Sequence, residues 1–285
     1  MRTQAKAPPQ RRPHGPATGR RGCLNLSPAT LHRYKTHRRR PVNHWRQCGS
    51  TPANLNRGSS MQRHAIAFGI LLVMLLTPPA FGAPQALRPP ANHEIPVAIV
   101  VTEGANVIDF AGPWEVFQDT ARPGTEQPAF RLFTVSESRQ PVRLTGGLMV
   151  VPDFTFDDAP TPAVVVVGAQ GRSDTLLQWL RRIGSAAETE VLMSVCTGAF
   201  KLADAGLLAG KHATTHHDFF DEFSRRHPDV TLERGRRFVQ SGPHLFTAGG
   251  LTSGIDLALH VVGLYYGDAT AQEVARYMEY RQGQQ

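Results

Sequence analysis

One cysteine, two carboxylates and a pair of histidines carry the chemistry available to this sequence. Cys196 stands in Ser194-Val-Cys-Thr-Gly, where a short apolar run meets a thiol, a small residue and a glycine. The string predicts a buried strand that turns sharply into a helix, lifting the side chain to the carboxyl edge of a parallel sheet, where open α/β folds bind ligands. A helix start adds partial positive charge and free N–H groups, so a thiol biased toward thiolate is expected, with Thr197 as its anion-binding neighbour. The plain alternative is a buried structural cysteine, small and apolar.

A nucleophilic thiol needs a proton partner. Asp109, flanked by apolar Ile108 and Phe110, offers one, because burial would raise its pKa and let it shuttle a proton. Reaching Cys196 is simplest if the strand before Asp109 and the strand before Cys196 are neighbours. Asp109 could instead cap a helix beginning at Gly112, and Glu115 is either a second acid or a solvated helix residue. His216 and His217 follow Ala213-Thr-Thr and are expected to end a strand at the same sheet edge, with Thr215 as an alternative helix cap. In Gly168-Ala169-Gln170-Gly171, a backbone N–H of Gly168 or Ala169 could join that of Thr197 in an oxyanion hole. That segment lacks the lysine of a phosphate loop. Gly249-Gly250 and Gly254 read as turn or close-packing positions.

The elements that must position these groups alternate short β-branched runs with amphipathic stretches from about Ile95 to Arg281. This predicts one domain over residues 95–285, with a mainly parallel sheet covered on both faces. Strands are expected over Ile95–Thr102, Ala129–Ser136, Ala163–Gly168 and Glu190–Val195, the last two fully apolar and central. Val142–Val151 reads as a hairpin about Gly146-Gly147, and another hairpin is expected at Gly242-Pro243. Helices are expected around Pro113 in a first turn, over Asp174–Ile183, Thr197–Leu208 and Asp218–His227, and in two closing segments, Ser253–Tyr265 and Ala269–Tyr280.

The 285 residues carry a net charge of +8, but the charge is unevenly placed. Residues 1–60 hold 13 Lys/Arg and no acid, whereas residues 83–285 hold 17 Lys/Arg against all 23 acids, a net charge of −6. The basic tail, without apolar periodicity, is expected to be disordered and upstream of the true start, and no nucleic-acid partner is expected. Met61 to Ala83 follows the plan of a secretory signal: a basic start, an apolar run of 12 from Ala65 to Leu76, and small residues with a cut after Gly82. The run is short for a membrane span. Residues 61–82 are therefore expected to be a signal peptide, or an uncleaved anchor as the only membrane contact, and residues 83–94 a linker. The domain is expected to be periplasmic or secreted. Cys23 and Cys48 precede the cut, leaving Cys196 alone in the mature domain, without an internal disulfide or a zinc pattern.

Four strings together resemble the ThiJ/PfpI superfamily: Ile108-Asp-Phe-Ala-Gly-Pro, Ser194-Val-Cys-Thr-Gly, Ala205-Gly-Leu-Leu-Ala-Gly-Lys-His-Ala-Thr-Thr-His and Thr247-Ala-Gly-Gly-Leu-Thr-Ser-Gly-Ile-Asp. The resemblance covers about residues 95–280 and is greatest to isonitrile hydratases and the sensor domains of AraC-type regulators. It implies a flavodoxin-like three-layer α/β sandwich of the class I glutamine amidotransferase-like type. It further implies Cys196 as nucleophile, Thr197 and Asp109 as its partners, no metal or organic cofactor, a small electrophilic substrate and a homodimer. The hydratase pattern would convert an isocyanide to an N-formamide. A non-catalytic ligand-binding module and a redox-responsive thiol stand as alternatives. Three departures are visible: Thr197 replaces the histidine of the protease-like branch, Val167-Gly168-Ala169 replaces a common Pro-Gly-Gly, and His217 stands where the hydratases tend to carry an aromatic residue.

Overall fold

The computed structural model describes residues 86–281. The basic tail, the signal segment and the first residues of the linker lie outside the described residues. In chain order the elements are β1 (Ile95–Val100), α1 (Val107–Gln118), β2 (Phe130–Ser136), β3 (Val142–Arg143), β4 (Met149–Val150), β5 (Phe154–Thr155), β6 (Val164–Val167) and α2 (Asp174–Gly184). They continue with β7 (Val191–Ser194), α3 (Gly198–Asp204), β8 (His212–Ala213), α4 (Phe220–Arg226), β9 (Thr231–Leu232), β10 (Phe238–Gln240), β11 (Leu245–Ala248), α5 (Ser253–Tyr266) and α6 (Asp268–Tyr277).

Seven strands form the central sheet in the order β10-β11-β7-β6-β1-β2-β5, all parallel except the β10–β11 hairpin. Successive strand residues face opposite sides of a sheet, and both sides here are apolar. Val97, Ile99, Val164, Val166, Val191 and Met193 pack with α1, α5 and α6. Ala98, Val100, Val165, Val167 and Leu192 pack with α2, α3 and α4 on the other side. Burial on both faces is why β6 reads as an unbroken valine run. The result is the expected three-layer, flavodoxin-like α/β sandwich.

Several details differ from expectation. α1 begins at Val107, so Pro113 lies in its interior and not in a first turn at Gly112. The start is fixed from outside the helix, by Asn106 N–H donating to the Ala169 carbonyl at 2.8 Å and Val107 N–H donating to Thr145 Oγ1 at 3.2 Å. β8 does not join the main sheet; it pairs with β9 alone, because β11 already occupies the free side of β7. The linker is partly docked, with Leu87 N–H donating to the Leu264 carbonyl at 2.9 Å and its side chain packed on the α5 side.

β1 and β7 are not neighbours either: β6 lies between them. The end of β6 is consequently crowded from both sides. A Cβ on Gly198, at the start of α3, would stand 2.0 Å from the Val167 carbonyl oxygen, and one on Gly168 would stand 2.8 Å from Asp109 Cβ. Backbone cannot yield to a 2.0 Å contact without moving α3 off the sheet. Gly198→Ala is expected to lose about 3 kcal/mol or more of stability in urea unfolding, at the severe end for single substitutions. An unchanged midpoint would contradict this packing.

Candidate active site

The chain between β7 and α3 turns at Cys196, whose φ of 58° lies in the left-handed region that side chains other than glycine seldom enter. Such strain persists only where surrounding bonds over-determine it. Here Cys196 N–H donates to the Gly249 carbonyl at 2.8 Å, Thr215 Oγ1 donates to the Cys196 carbonyl at 2.9 Å, and Gly198 N–H donates to the Val195 carbonyl at 3.0 Å. The thiol is thereby held at the carboxyl edge of the sheet, 5% exposed. The backbone N–H groups of Thr197 and Leu251 lie near enough to the sulfur to favour its charged form.

Asp109 reaches this thiol from α1 by crossing the end of β6 over Gly168. Its carboxyl is fully buried. Oδ2 accepts a hydrogen bond from Ala169 N–H at 2.9 Å, while Oδ1 lacks a full hydrogen bond. The Cys196 thiol is the one side chain close enough to bear on the ionisation of the carboxyl. Burial pushes the Asp109 pKa from 3.8 up to about 6, against the opposing pull of the Ala169 amide and the thiol. Burial also pushes Cys196 up to about 11, with the Asp109 charge adding to it and the Thr197 and Leu251 amides acting the other way.

The sequence expectation of a thiolate-biased cysteine is therefore corrected. Two amides at a helix of seven residues do not offset burial beside a carboxylate. At neutral pH the pair is a thiol and a carboxylate, one proton shared by two groups.

The other expected site residues divide. Thr197 contributes its backbone N–H. Ala169 does not provide an oxyanion donor, since its N–H is already given to Asp109; Gly168 serves by lacking a side chain where Asp109 crosses. Asp109 is no cap for a segment starting at Gly112 but the third residue of α1. Glu115 is exposed on that helix, accepting from Gln118 Nε2 at 3.3 Å, and takes no part.

His216 lies beside the site without touching the thiol. A Cβ on Gly250 would strike its ring at 2.1 Å, which places it next to Leu251, and its Nδ1 accepts from Asp218 N–H at 3.2 Å. His217 stacks on it with ring centroids 4.4 Å apart. Thr215 does not cap a helix, because its hydroxyl is committed to the Cys196 carbonyl. Leu251, Thr215 and Gly249 are the site residues that spacing did not reveal. The one available signal was the Gly249-Gly250 pair, which forces close approach there. A cavity of about 720 Å³ between the 119–126 loop and α6 shares no residue with this site.

A doubly covered parallel sheet, a cysteine on a strained strand-to-helix elbow and a buried acid across the next strand define an α/β sandwich with an elbow cysteine at its carboxyl edge. A model of the DJ-1/PfpI family matches residues 96–264, and the chain belongs to that family. An isonitrile hydratase of Pseudomonas putida is 34% identical over 180 residues, covering 61% of this chain and 73% of that protein. The HTH-type transcriptional regulator CdhR of Pseudomonas aeruginosa is 30% identical over 151 residues, which is 51% of this chain and 44% of the regulator. The chain thus spans less than half of that relative. Among solved structures, a ThiJ/PfpI family protein from Pseudomonas syringae has a TM-score of 0.56 at 25% identity, covering 73% of this chain and 82% of that one.

The raised carboxyl fixes the sign of a pH effect. A group that binds its proton more tightly when folded adds stability below its unfolded pKa of 3.8 and loses it as pH rises through about 6. Above that window wild type carries a penalty on the order of 2–3 kcal/mol that a neutral amide would not. Asp109→Asn is expected to melt higher than wild type at pH 7–8, with the gap closing below pH 4. A gap independent of pH would contradict the burial of an ionised Asp109.

Proposed function

We propose that this domain is a cofactor-free cysteine enzyme of isonitrile-hydratase type, converting an isocyanide to an N-formamide. The observation that carries the reading is the Asp109–Cys196 pair, a buried acid and an elbow thiol sharing one proton. The 34% identity to the Pseudomonas putida isonitrile hydratase supports it.

In this reading sulfur attacks the terminal isocyanide carbon while its proton passes to the Asp109 carboxylate and on to that carbon. The product is a thioimidate, R–N=CH–S, with no atom left over. Water then adds to the same carbon, giving one proton to Asp109, which passes it to the nitrogen. Collapse of the tetrahedral adduct breaks the C–S bond, returns the proton to sulfur and releases R–NH–CHO. The amides of Thr197 and Leu251, near the sulfur, steady the charge that builds there as the S–H proton leaves, before the S–C bond disperses it. A thiol held near pKa 11 makes a free thiolate costly, so proton movement accompanies attack and does not precede it.

A second reading is favoured by the likeness to CdhR: a small-ligand-binding module in which Cys196 is a wall of the pocket. The two separate cleanly. In the catalytic reading Cys196→Ala abolishes isocyanide hydration and Asp109→Asn lowers kcat about 100-fold or more, the usual scale of a lost acid–base group. Ligand binding that survives Cys196→Ala, with no turnover in wild type, would replace the first reading by the second. Redox modification of the thiol is the remaining alternative, read by mass spectrometry after mild peroxide.

Export to the periplasm or medium, and pairing as a homodimer, are proposed with this function. An N-terminus at Ala83 in the mature protein is the expected result of peptide mapping, and a cytoplasmic protein beginning at Met1 or Met61 would overturn export.

A further inference from the structure

Lys201 has no part in the chemistry above, and its surroundings call for one. It lies in the middle of α3, four residues after Thr197 and on the same helix face. A helical side chain leans toward the N-terminus of its own helix, here toward the elbow that carries Cys196. Lys201 is only 8% exposed. Its ammonium nevertheless makes no hydrogen bond and no ion pair among the described residues.

The acid on its own helix is already committed. Asp204 meets Arg172 Nε at 3.3 Å, Arg226 Nη2 at 3.2 Å and His227 Nε2 at 3.4 Å. Arg172 and Arg226, themselves cations, add to the positive field around Lys201 and do not relieve it. Burial holds the lysine pKa below its ordinary value, Asp204 and the Cys196 sulfur acting in the other direction and the two arginines in the same one. The sulfur is therefore within electrostatic reach of the ammonium. The one carboxylate that acts on this largely buried lysine, Asp204, is thus shared with Arg172 and Arg226, and an anion brought in with a ligand would give the ammonium a partner of its own.

We propose that Lys201 is the anion-recognition residue of the Cys196 site, holding a carboxylate carried by the electrophile on which Cys196 acts. A single ammonium suits a monoanion, and Arg172 and Arg226 strengthen the field without turning their own bonds away from Asp204. The proposal rests on the site being a ligand pocket around Cys196, and it narrows the substrate to carboxylate-bearing small molecules.

The test compares alkylation of Cys196 by iodoacetate and by iodoacetamide, followed by intact mass. Each reagent forms an S–CH2 bond and expels iodide, so only the charge differs. The ratio of the iodoacetate rate to the iodoacetamide rate is expected to be about tenfold higher in wild type than in Lys201→Met, one decade being about 1.4 kcal/mol of charge recognition. Lys201→Gln should match Lys201→Met, and Lys201→Arg should keep part of the preference. Asp109 is present in every protein compared, so its repulsion cancels. Melting temperature provides a second readout: removing a largely buried charge whose one acid is shared with two arginines should leave Lys201→Met at least as stable as wild type. Equal rate ratios in wild type and Lys201→Met, or a lowered melting temperature marking Lys201 as a packing residue, would overturn the proposal. Alkylation needs no turnover, so loss of the charge preference sinks the anion site alone, whereas absence of isocyanide hydration with the preference intact sinks the catalytic reading alone.

Discussion

Everything at the site depends on how tightly two helices close over the end of β6. Gly198 lets α3 start against the Val167 carbonyl, and Gly168 lets the first turn of α1 pass overhead. A methyl group at either position would separate Cys196 from Asp109, since the strands that carry them are not adjacent but lie on either side of β6. The backbone strain at Cys196 follows from the same constraint. Closing α3 onto the sheet within three residues of β7 requires a left-handed residue at the turn, and the bonds from Gly249, Thr215 and Val195 hold it there.

Bringing the two groups together out of water also sets their charge. Burial raises both pKa values; the carboxylate raises the thiol further while the thiol draws the carboxyl back down, and the carboxyl, intrinsically the stronger acid, keeps the charge. The Ala169 amide steadies the carboxylate, while the Thr197 and Leu251 amides wait at sulfur for charge that arrives only with reaction. Such a pair is preorganised for proton transfer coupled to bond formation and is poorly suited to storing a thiolate. Lys201 extends the same economy of charge: on the proposal above, a cation without an ion pair of its own beside an uncharged thiol is a place for an incoming anion.

The layered fold, the elbow and Asp109 were legible in the sequence because each leaves a local mark. Unbroken valine runs announce buried parallel strands, and an apolar strand followed by Cys-Thr-Gly announces the turn. Glu115 misled because six residues along a helix rotate a side chain by about 240°, away from the face that Asp109 presents. The oxyanion role expected of Ala169 failed because one N–H serves one acceptor at a time, and Asp109 took it. Leu251, Thr215 and Gly249 reach the cysteine only through space, from segments that β11 and the β8–β9 pair bring to the same edge. No spacing along the chain encodes that meeting. The strand order was likewise open, because a parallel sheet can place β6 on either side of its partners without changing the hydrophobic pattern.

The central claim is that Cys196 and Asp109 are one coupled unit in which the thiol stays protonated at neutral pH. Direct titration of Cys196 by thiolate absorbance, in wild type and in Asp109→Asn, tests it most directly. The structure predicts a midpoint near 11 in wild type that falls when the neighbouring charge is removed. A wild-type midpoint below the ordinary value of 9.0, or one that ignores Asp109, would contradict the account.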